Sequence, residues 1–142
     1  MIYFDSNYIV RLYFKDPGFE AVRQFATTAP IACAQHGQAE VIAALHRKRR
    51  EGSLSPSLYT IALKEFTDES QTGAFTWLPL STAVFARVAQ VYAKLPADIF
   101  LRAADALHLT CAAENHFRAI YSNDQRLLAA AEHFGIKGVN VI

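Results

Sequence analysis

The sequence predicts an α/β domain with three layers, in which helices cover both faces of a mostly parallel sheet. Short apolar runs typical of buried strands alternate with one or two segments of helical periodicity. Strands that are connected through helices need crossover connections, and such connections make neighbouring strands parallel. The chain has 142 residues and 52% hydrophobic content, so we expect a single domain over 1–142 with a single buried core.

The individual elements follow from apolar periodicity and from the residues that start and stop helices. Strands are predicted at about 2–5, 30–34, 74–80, 119–122 and 139–142. Helices are predicted at about 6–14, 17–28, 39–52, 55–70, 81–94, 99–116 and 124–135. We expect Asp16 to cap the second helix with Pro17 in its first turn, and Gly52 and Gly135 to end their helices.

Composition excludes several classes of protein. The net charge is +1, so the overall charge does not predict a polyanionic partner. Cys33 and Cys111 are the only cysteines and lie in apolar segments, which favours a reducing cytoplasm over a disulfide framework. No segment contains 18 consecutive uncharged apolar residues and no signal peptide is visible. We therefore expect a cytoplasmic protein without a membrane span.

Four acidic residues are placed where tertiary folding could bring them together. Asp5 follows the first predicted strand and Asp124 follows the fourth, and ligands of parallel sheets bind at the carboxyl ends of strands. Glu40 and Asp105 each lie among apolar helical residues, where an unpaired carboxylate would be costly. We expect the neighbours Val41, Ile42 and Leu45 of Glu40 to face the core.

Each acid also has an ordinary structural explanation. Asp5 and Asp124 could be helix N-caps, and Glu40 could interact with the dipole of its helix. Asp105 could form an ion pair with Arg102 three residues earlier.

A cluster of the four acids would be a site for a hard cation. Crowded carboxylates repel one another and remain ionised only if a cation such as Mg²⁺ or Mn²⁺ lies among them. The five histidines are dispersed without the spacing of a zinc site, although His108 could support the acids. Acid clusters that hold hard cations hydrolyse phosphodiesters well. Without these four acids, nine Asp and Glu oppose 14 Lys and Arg, and the remaining charge of about +5 suits a nucleic acid.

The basic residues give a weaker indication. The run "HRKRR" at 46–50 is typical of a solvated helix end. Arg102, Arg118 and Arg126 are nearer to the proposed acidic site along the sequence.

Four segments in this order resemble the PIN-domain nucleases, and among them the VapC-type toxins of toxin–antitoxin pairs. The segments are "YFDSNYIVRLYFKDPG", "AEVIAALHRKRREGSLS", "LRAADALHLTCAAE" and "YSNDQRLLAAAEHFGIKGVNVI", and together they span nearly the whole chain. The resemblance implies a three-layer α/β/α PIN-like fold. It also implies a dimeric endoribonuclease that depends on Mg²⁺ or Mn²⁺, cleaves RNA and is inhibited by a small antitoxin.

The resemblance also implies roles for particular residues. The catalytic and metal-binding acids would be Asp5, Glu40, Asp105 and Asp124, and the supporting or substrate-binding residues would be Ser6, Asn7, Arg102 and Ser122. The segment before Glu40 departs from the family pattern, because Gln38 and Ala39 stand where Ser or Thr is frequent.

Two other functions are compatible with the same residues. A non-catalytic PIN-fold module would bind RNA or a protein without cleaving it. A phosphatase that forms an aspartyl intermediate also begins with an Asp after the first strand, but it usually has a second Asp two residues later, and here that residue is Asn7.

The two apolar-faced helices at about 55–70 and 81–94 are predicted to contact the antitoxin or a second subunit.

Overall fold

The strands form one parallel sheet at the centre of the protein. The computed structural model describes all residues, 1–142. Its strands are β1 (Ile2–Phe4), β2 (Ile31–Ala34), β3 (Phe75–Leu78), β4 (Ala119–Tyr121) and β5 (Lys137–Val139). They lie in the order β3-β2-β1-β4-β5, and every neighbouring pair is parallel. The predicted α/β class with a parallel sheet is therefore confirmed.

Seven helices and a short 3₁₀ helix connect the strands. They are α1 (Ser6–Tyr13), α2 (Phe19–Ala26), α3 (Gly37–Arg50), α4 (Pro56–Thr72), α5 (Thr82–Tyr92), α6 (Ala103–Glu114), α7 (Gln125–Ala130) and the 3₁₀ helix Ala131–Phe134. Ser55 caps α4 by accepting a hydrogen bond from the Leu58 N–H, and Pro56 occupies its first turn. None of these helices is long and apolar enough to cross a membrane.

The sheet divides the apolar interior into two clusters, where the composition had suggested a single core. Successive strand residues point to opposite faces, so Tyr3 belongs to one cluster and Phe4 to the other. The first cluster packs under α5, α6 and α7, and it includes Leu109 and Leu127. The second packs under α1, α3 and α4, and it includes Val41 and Leu45.

Three expectations about individual elements are wrong. Asp16 does not cap α2, because Gly18 occupies the cap position with a φ of 81° and the Asp16 carboxylate accepts a hydrogen bond from Lys48 Nζ at 2.6 Å. Ile42 is 37% exposed, whereas Val41 and Leu45 are buried. Ile42 therefore lies on the outer side of α3, away from the core.

The final strand is the third difference, because it runs over Lys137–Val139 instead of the predicted 139–142. The Asn140 side-chain oxygen accepts hydrogen bonds from the Tyr8 hydroxyl and from the Ile142 N–H, and this turn removes the terminal residues from the sheet. Gly138 lies within β5, where an added Cβ would be 2.8 Å from the Leu128 carbonyl oxygen. A glycine in a strand often marks such a close backbone approach.

The order of the strands creates a crevice next to β1. From β1 the chain moves outward to β2 and β3, and it then returns to the other side of β1 to form β4 and β5. Ligands of open parallel sheets bind at such a change of direction, outside the carboxyl ends of the strands. Asp5 follows β1 directly and Asp124 follows β4 closely, so this crevice is where the sequence places them.

Candidate active site

A polar cleft of about 330 Å³ opens at this carboxyl edge between β1 and β4. It is lined by Asp5, Ser6, Asn7, Val10, Arg11, Asp16, Glu40, Ala44, Arg47, Lys48, Arg102, Asp105 and Asp124. The four predicted acids all line this one cleft, although they come from different elements of the fold. The cleft therefore has one strongly acidic end, and its other basic and polar residues extend along α1 and α3.

Asp5 is held rigidly and is almost completely buried, with 4% of its surface exposed. Its Oδ2 accepts a hydrogen bond from Ser122 Oγ at 2.8 Å and another from Asn7 Nδ2, and its Oδ1 accepts one from Ser6 Oγ at 3.2 Å. Although Asp5 occupies the N-cap position of α1, its side chain makes no capping hydrogen bond. Helix capping therefore does not explain the position of the Asp5 carboxylate.

Ser122 connects two of the acids from behind the cleft. In addition to its bond to Asp5, its Oγ accepts a hydrogen bond from the Asp124 N–H at 3.0 Å. The Oδ1 of Asp124 accepts hydrogen bonds from the N–H groups of Arg126 and Leu127, so Asp124 does cap α7. Its other oxygen, Oδ2, takes no part in the cap and accepts a hydrogen bond from Arg102 Nη2 at 2.8 Å.

Arg102 also pairs with Asp105, and it thus joins two acids of the cluster. Its Nε donates to Asp105 Oδ2 at 2.8 Å, while the Arg102 side chain is 56% exposed. Asp105 is only 6% exposed, and this burial raises its pKa above the usual value. The charge and hydrogen bond of Arg102 lower the pKa, whereas the charges of Asp124 and Asp5 raise it further. Neutralisation by a nearby cation is what such a carboxylate requires to stay ionised.

Glu40 is held by a buried histidine. Its Oε2 is 2.6 Å from His108 Nε2, and the Tyr3 hydroxyl is 3.0 Å from His108 Nδ1. Burial alone would raise the pKa of Glu40, but the hydrogen bond and charge of His108, together with His36 and Ser6, lower the pKa below its usual value. Burial likewise disfavours a charged His108, yet Cys33 and then the Glu40 and Asp5 carboxylates raise the pKa of the ring above its usual value.

His36 completes this group, which the spacing of the histidines in the sequence did not predict. Its ring centroid lies 4.2 Å from that of His108, and its Nε2 lies 3.9 Å from Glu40 Oε2. The two histidines are separated by three helices and a strand along the chain. Only the packing of α6 against β2 reveals that they are neighbours.

The basic residues differ from the expectation based on proximity in the sequence. Arg118 precedes β4 and lies beside Met1 and Ile2, at the opposite edge of the sheet from the acids. Arg126 stacks over the Phe100 ring at 4.4 Å and does not line the cleft. By contrast, Arg47 and Lys48 do line it, together with Arg11. Helical spacing from Glu40 could have identified Arg47 and Lys48, because residues seven and eight positions later lie on the same helix face.

The donor groups fit a hard divalent cation. The cleft presents carboxylate oxygens from four residues, and Mg²⁺ and Mn²⁺ bind through oxygen ligands and retained waters. Asp105 and Asp124 each have a guanidinium nitrogen of Arg102 beside a carboxylate oxygen, and this exposed guanidinium can move away when another cation arrives. A divalent cation held by such oxygen ligands can support phosphoryl transfer.

Comparisons with solved structures give the same fold. The structure of FitAcB from Neisseria gonorrhoeae superimposes with a TM-score of 0.76 at 18% identity, over 99% of this chain and 97% of that one. VapC20 from Mycobacterium tuberculosis, described as a sarcin–ricin loop cleaving toxin, gives 0.69 at 13% identity, over 92% of this chain and 95% of that one. VapBC2 from Rickettsia felis, bound to a promoter DNA fragment, gives 0.69 at 14% identity, over 99% and 98%.

The family model for the PIN domain matches residues 2–133. No curated protein sequence matches the chain significantly. Because the family model covers nearly the whole chain, and because its structural neighbours are PIN proteins of toxin–antitoxin systems, the resemblance read from the sequence is confirmed. The chain belongs to the PIN domain family.

Proposed function

We propose that this protein is a metal-dependent endoribonuclease that hydrolyses RNA phosphodiester bonds as the VapC-type toxin of a type II toxin–antitoxin pair. The observation that carries the proposal is the convergence of four carboxylates in one cleft, with Asp5 held by three side chains instead of capping its helix. Membership of the PIN family and likeness to VapC20, a toxin that cleaves the sarcin–ricin loop, support this activity.

In this proposal Asp5, Glu40, Asp105 and Asp124 hold Mg²⁺ or Mn²⁺. The bound cation would contact phosphate oxygens, make water more nucleophilic and stabilise the leaving oxygen. A cation among the acids would also offset the desolvation of Asp105 and its repulsion by Asp124 and Asp5.

The other side chains fix the geometry of the acids. Ser122 and Asn7 hold Asp5, so its free carboxylate lone pairs keep one orientation towards the cleft. His108 holds Glu40, which lies at the first turn of α3 and would otherwise rotate freely. Arg102 would bind a phosphoryl oxygen once the metal has replaced it between Asp105 and Asp124. Such preorganised charge is worth most where water is excluded.

We also propose that the toxin is a homodimer and that a small antitoxin inhibits it. FitAB, a further structural neighbour with a TM-score of 0.74, and VapBC2 were each solved bound to a DNA fragment. Exposed apolar side chains are available for such contacts on α4, at Leu58 and Ile61, and on α5, at Phe85 and Tyr92. Apolar side chains grouped in this way typically mark protein interfaces.

Replacement of Asp5 tests the activity most directly. We expect purified protein to cleave a mixed RNA pool with Mg²⁺ or Mn²⁺ and to stop in excess EDTA. Asp5→Asn should lower the rate by a factor of at least about 100, because the preorganised charge at one carboxylate supplies roughly this much. Gel analysis of the RNA and the melting temperature of the variant would be measured together.

The matched control is Asp98→Asn, which changes the same chemical group at an exposed position away from the cleft. This control should cleave at the rate of the unmodified protein. Substantial cleavage by a folded Asp5→Asn protein would contradict the assignment of the site. RNA that is bound but never cut, with any metal, would favour a non-catalytic binding module.

A further inference from the structure

Arg11 is a buried cation without an acidic partner. It is 7% exposed and lines the cleft, and its Nε and Nη1 donate to the carbonyl oxygens of Pro17 and Asn7 at 3.0 and 2.9 Å. No carboxylate lies within 4.0 Å of its guanidinium, and its Nη2 makes no hydrogen bond within the chain. A buried charge without a counter-charge is costly. Its position in an open cleft therefore suggests that an external anion supplies the missing charge.

Two further cations line the same end of the cleft. Arg47 and Lys48 lie seven and eight residues after Glu40 on α3, and Ala44, between Glu40 and these two cations, provides a small side chain on the same face. Lys48 is fixed by Asp16 at 2.6 Å and by the ring of Phe14 at 4.8 Å.

Arg47 is more loosely held than Lys48. Its nearest carboxylate is that of Glu51 at 3.9 Å, and both side chains are at least half exposed, so this pair contributes little. Three cations therefore face one lining carboxylate, Asp16, at this end of the cleft. The local charge is positive although the net charge of the whole chain is only +1.

We propose that Arg11, Arg47 and Lys48 form a phosphate subsite that holds the RNA backbone next to the scissile phosphate. This inference rests on the proposed ribonuclease function and specifies how its substrate lies. Seven helical residues separate Glu40 from Arg47, a rise of about 10 Å, which a short stretch of single strand can span. An RNA strand would then run along α3 from the acids to the three cations. Arg47 and Lys48, two residues of the run "HRKRR", would thereby bind substrate.

RNA binding without cleavage tests the subsite independently of catalysis. Anisotropy of a labelled single-stranded RNA would be measured with the full chain in EDTA over a range of salt concentrations. Arg47→Ala should weaken binding about tenfold, as expected for one charge-assisted hydrogen bond. It should also reduce the salt slope by about 0.7, the contribution of one phosphate contact to a single strand.

Arg50→Ala is the matched control, because it removes the same charge from the same last turn of α3 at an exposed position outside the cleft. It should change the affinity by less than about twofold, within the range of exposed charges. Equal losses for Arg47→Ala and Arg50→Ala would overturn the subsite, as would no loss for either.

Arg11→Gln should reduce the salt slope as Arg47→Ala does, when the two proteins are compared at the same folded fraction by circular dichroism. An unchanged slope would overturn the role of Arg11.

The subsite and the nuclease activity can fail separately. Binding that depends on Arg47 in a protein that never cleaves RNA with metal would support the subsite and contradict the ribonuclease proposal. Metal-dependent cleavage by a protein whose RNA affinity does not depend on Arg47 would support the ribonuclease and contradict the subsite.

Discussion

Arg102 places its positive charge beside two of the four acids in the folded chain. It donates to Asp105 and to Asp124, each at 2.8 Å, from a side chain that is more than half exposed. Exposed ion pairs stabilise proteins only weakly, so these two contacts are easily exchanged for a stronger one. The residue therefore neutralises the acids without closing the site to a divalent cation.

Arg102→Ala should tighten the binding of Mn²⁺, because the cation no longer competes with a guanidinium for Asp105 and Asp124. Two pairs of about 0.2–1 kcal/mol each correspond together to a gain of roughly twofold to thirtyfold in affinity. Isothermal titration calorimetry of the metal into purified protein would measure this gain.

Arg126→Ala is the control for Arg102→Ala, since Arg126 lies in the first turn of α7, which Asp124 caps, but stacks on Phe100 without pairing with an acid. Its Mn²⁺ affinity should equal that of the unmodified protein. Weaker Mn²⁺ binding by Arg102→Ala would show that Arg102 supports the metal site instead of competing for it.

Two aspartates with the same position in the sequence pattern differ in the structure. Asp5 and Asp124 both follow a strand and precede a helix, so the sequence predicts either a cap or a metal ligand for both. Asp124 divides its two oxygens between the helix cap and Arg102. Asp5 uses neither oxygen as a cap, because Ser6, Asn7 and Ser122 occupy them. Ser122 is distant in sequence, so local pattern could not separate the two cases.

At the scale of elements, α4 presents apolar side chains that no part of the chain covers. Leu58 and Ile61, one helical turn apart, are 54% and 53% exposed. They line an apolar groove of about 550 Å³ together with Tyr13 and Leu54. Complete burial of a large aliphatic side chain is worth about 1.5–3 kcal/mol, so a partner on this face would gain substantially. We assign this groove to the proposed dimer.

The double variant Leu58→Ser with Ile61→Ser should weaken dimerisation at least about tenfold, because it removes apolar area from the centre of the contact. Analytical ultracentrifugation over a range of protein concentrations would measure the dissociation constant. Phe100→Ser serves as the control, since Phe100 is equally exposed, at 59%, but lies outside α4. A dimer that is unaffected by the α4 changes would assign dimerisation to another surface, and a monomeric unmodified protein would contradict the dimer itself.

The helices and strands were predictable to the extent that their own residues specify them. The Ser55-Pro56 start of α4 and the glycines after α3 and at the end of the 3₁₀ helix are local signals, and the structure contains them. The end of β5 was not predictable, because it depends on contacts of Asn140 and Gly138 with Tyr8 and Leu128. These contacts join segments that are far apart in the sequence.

At the scale of the whole molecule, the sheet separates two apolar clusters that each contain one cysteine. Cys33 belongs to the cluster under α1, α3 and α4, and Cys111 belongs to the other. Both thiols are completely buried and unpaired. Their reactivity therefore reports separately on the opening of each cluster, which is a test of whether residues 1–142 unfold as one domain.

We expect neither thiol to react with a disulfide reagent at pH 8 in the native protein, and both to react at one common rate as the chain unfolds. Burial raises the pKa of both thiols, that of Cys111 to about 11, so the thiolate forms only at higher pH. At pH 8 only about one Cys111 thiol in a thousand would be ionised in the folded protein, and this fraction would rise tenfold per pH unit up to the pKa. Mass spectrometry of the labelled peptides would measure both rates in increasing denaturant. Rapid labelling of one cysteine while the other stays protected would contradict a single cooperative domain.

The sequence by itself determined the class of fold, the family and which residues are candidates for the site. Periodicity and the residues at helix ends are local properties, and the four characteristic segments keep their order along the chain. Only the tertiary structure decided which side chains meet. It brought His36 and His108 to Glu40, placed Arg102 between two acids, moved Arg118 to the opposite edge and directed Arg11, Arg47 and Lys48 into the cleft. The physical reason is that the strand order joins elements that are remote in sequence, and a local pattern contains no information about such contacts.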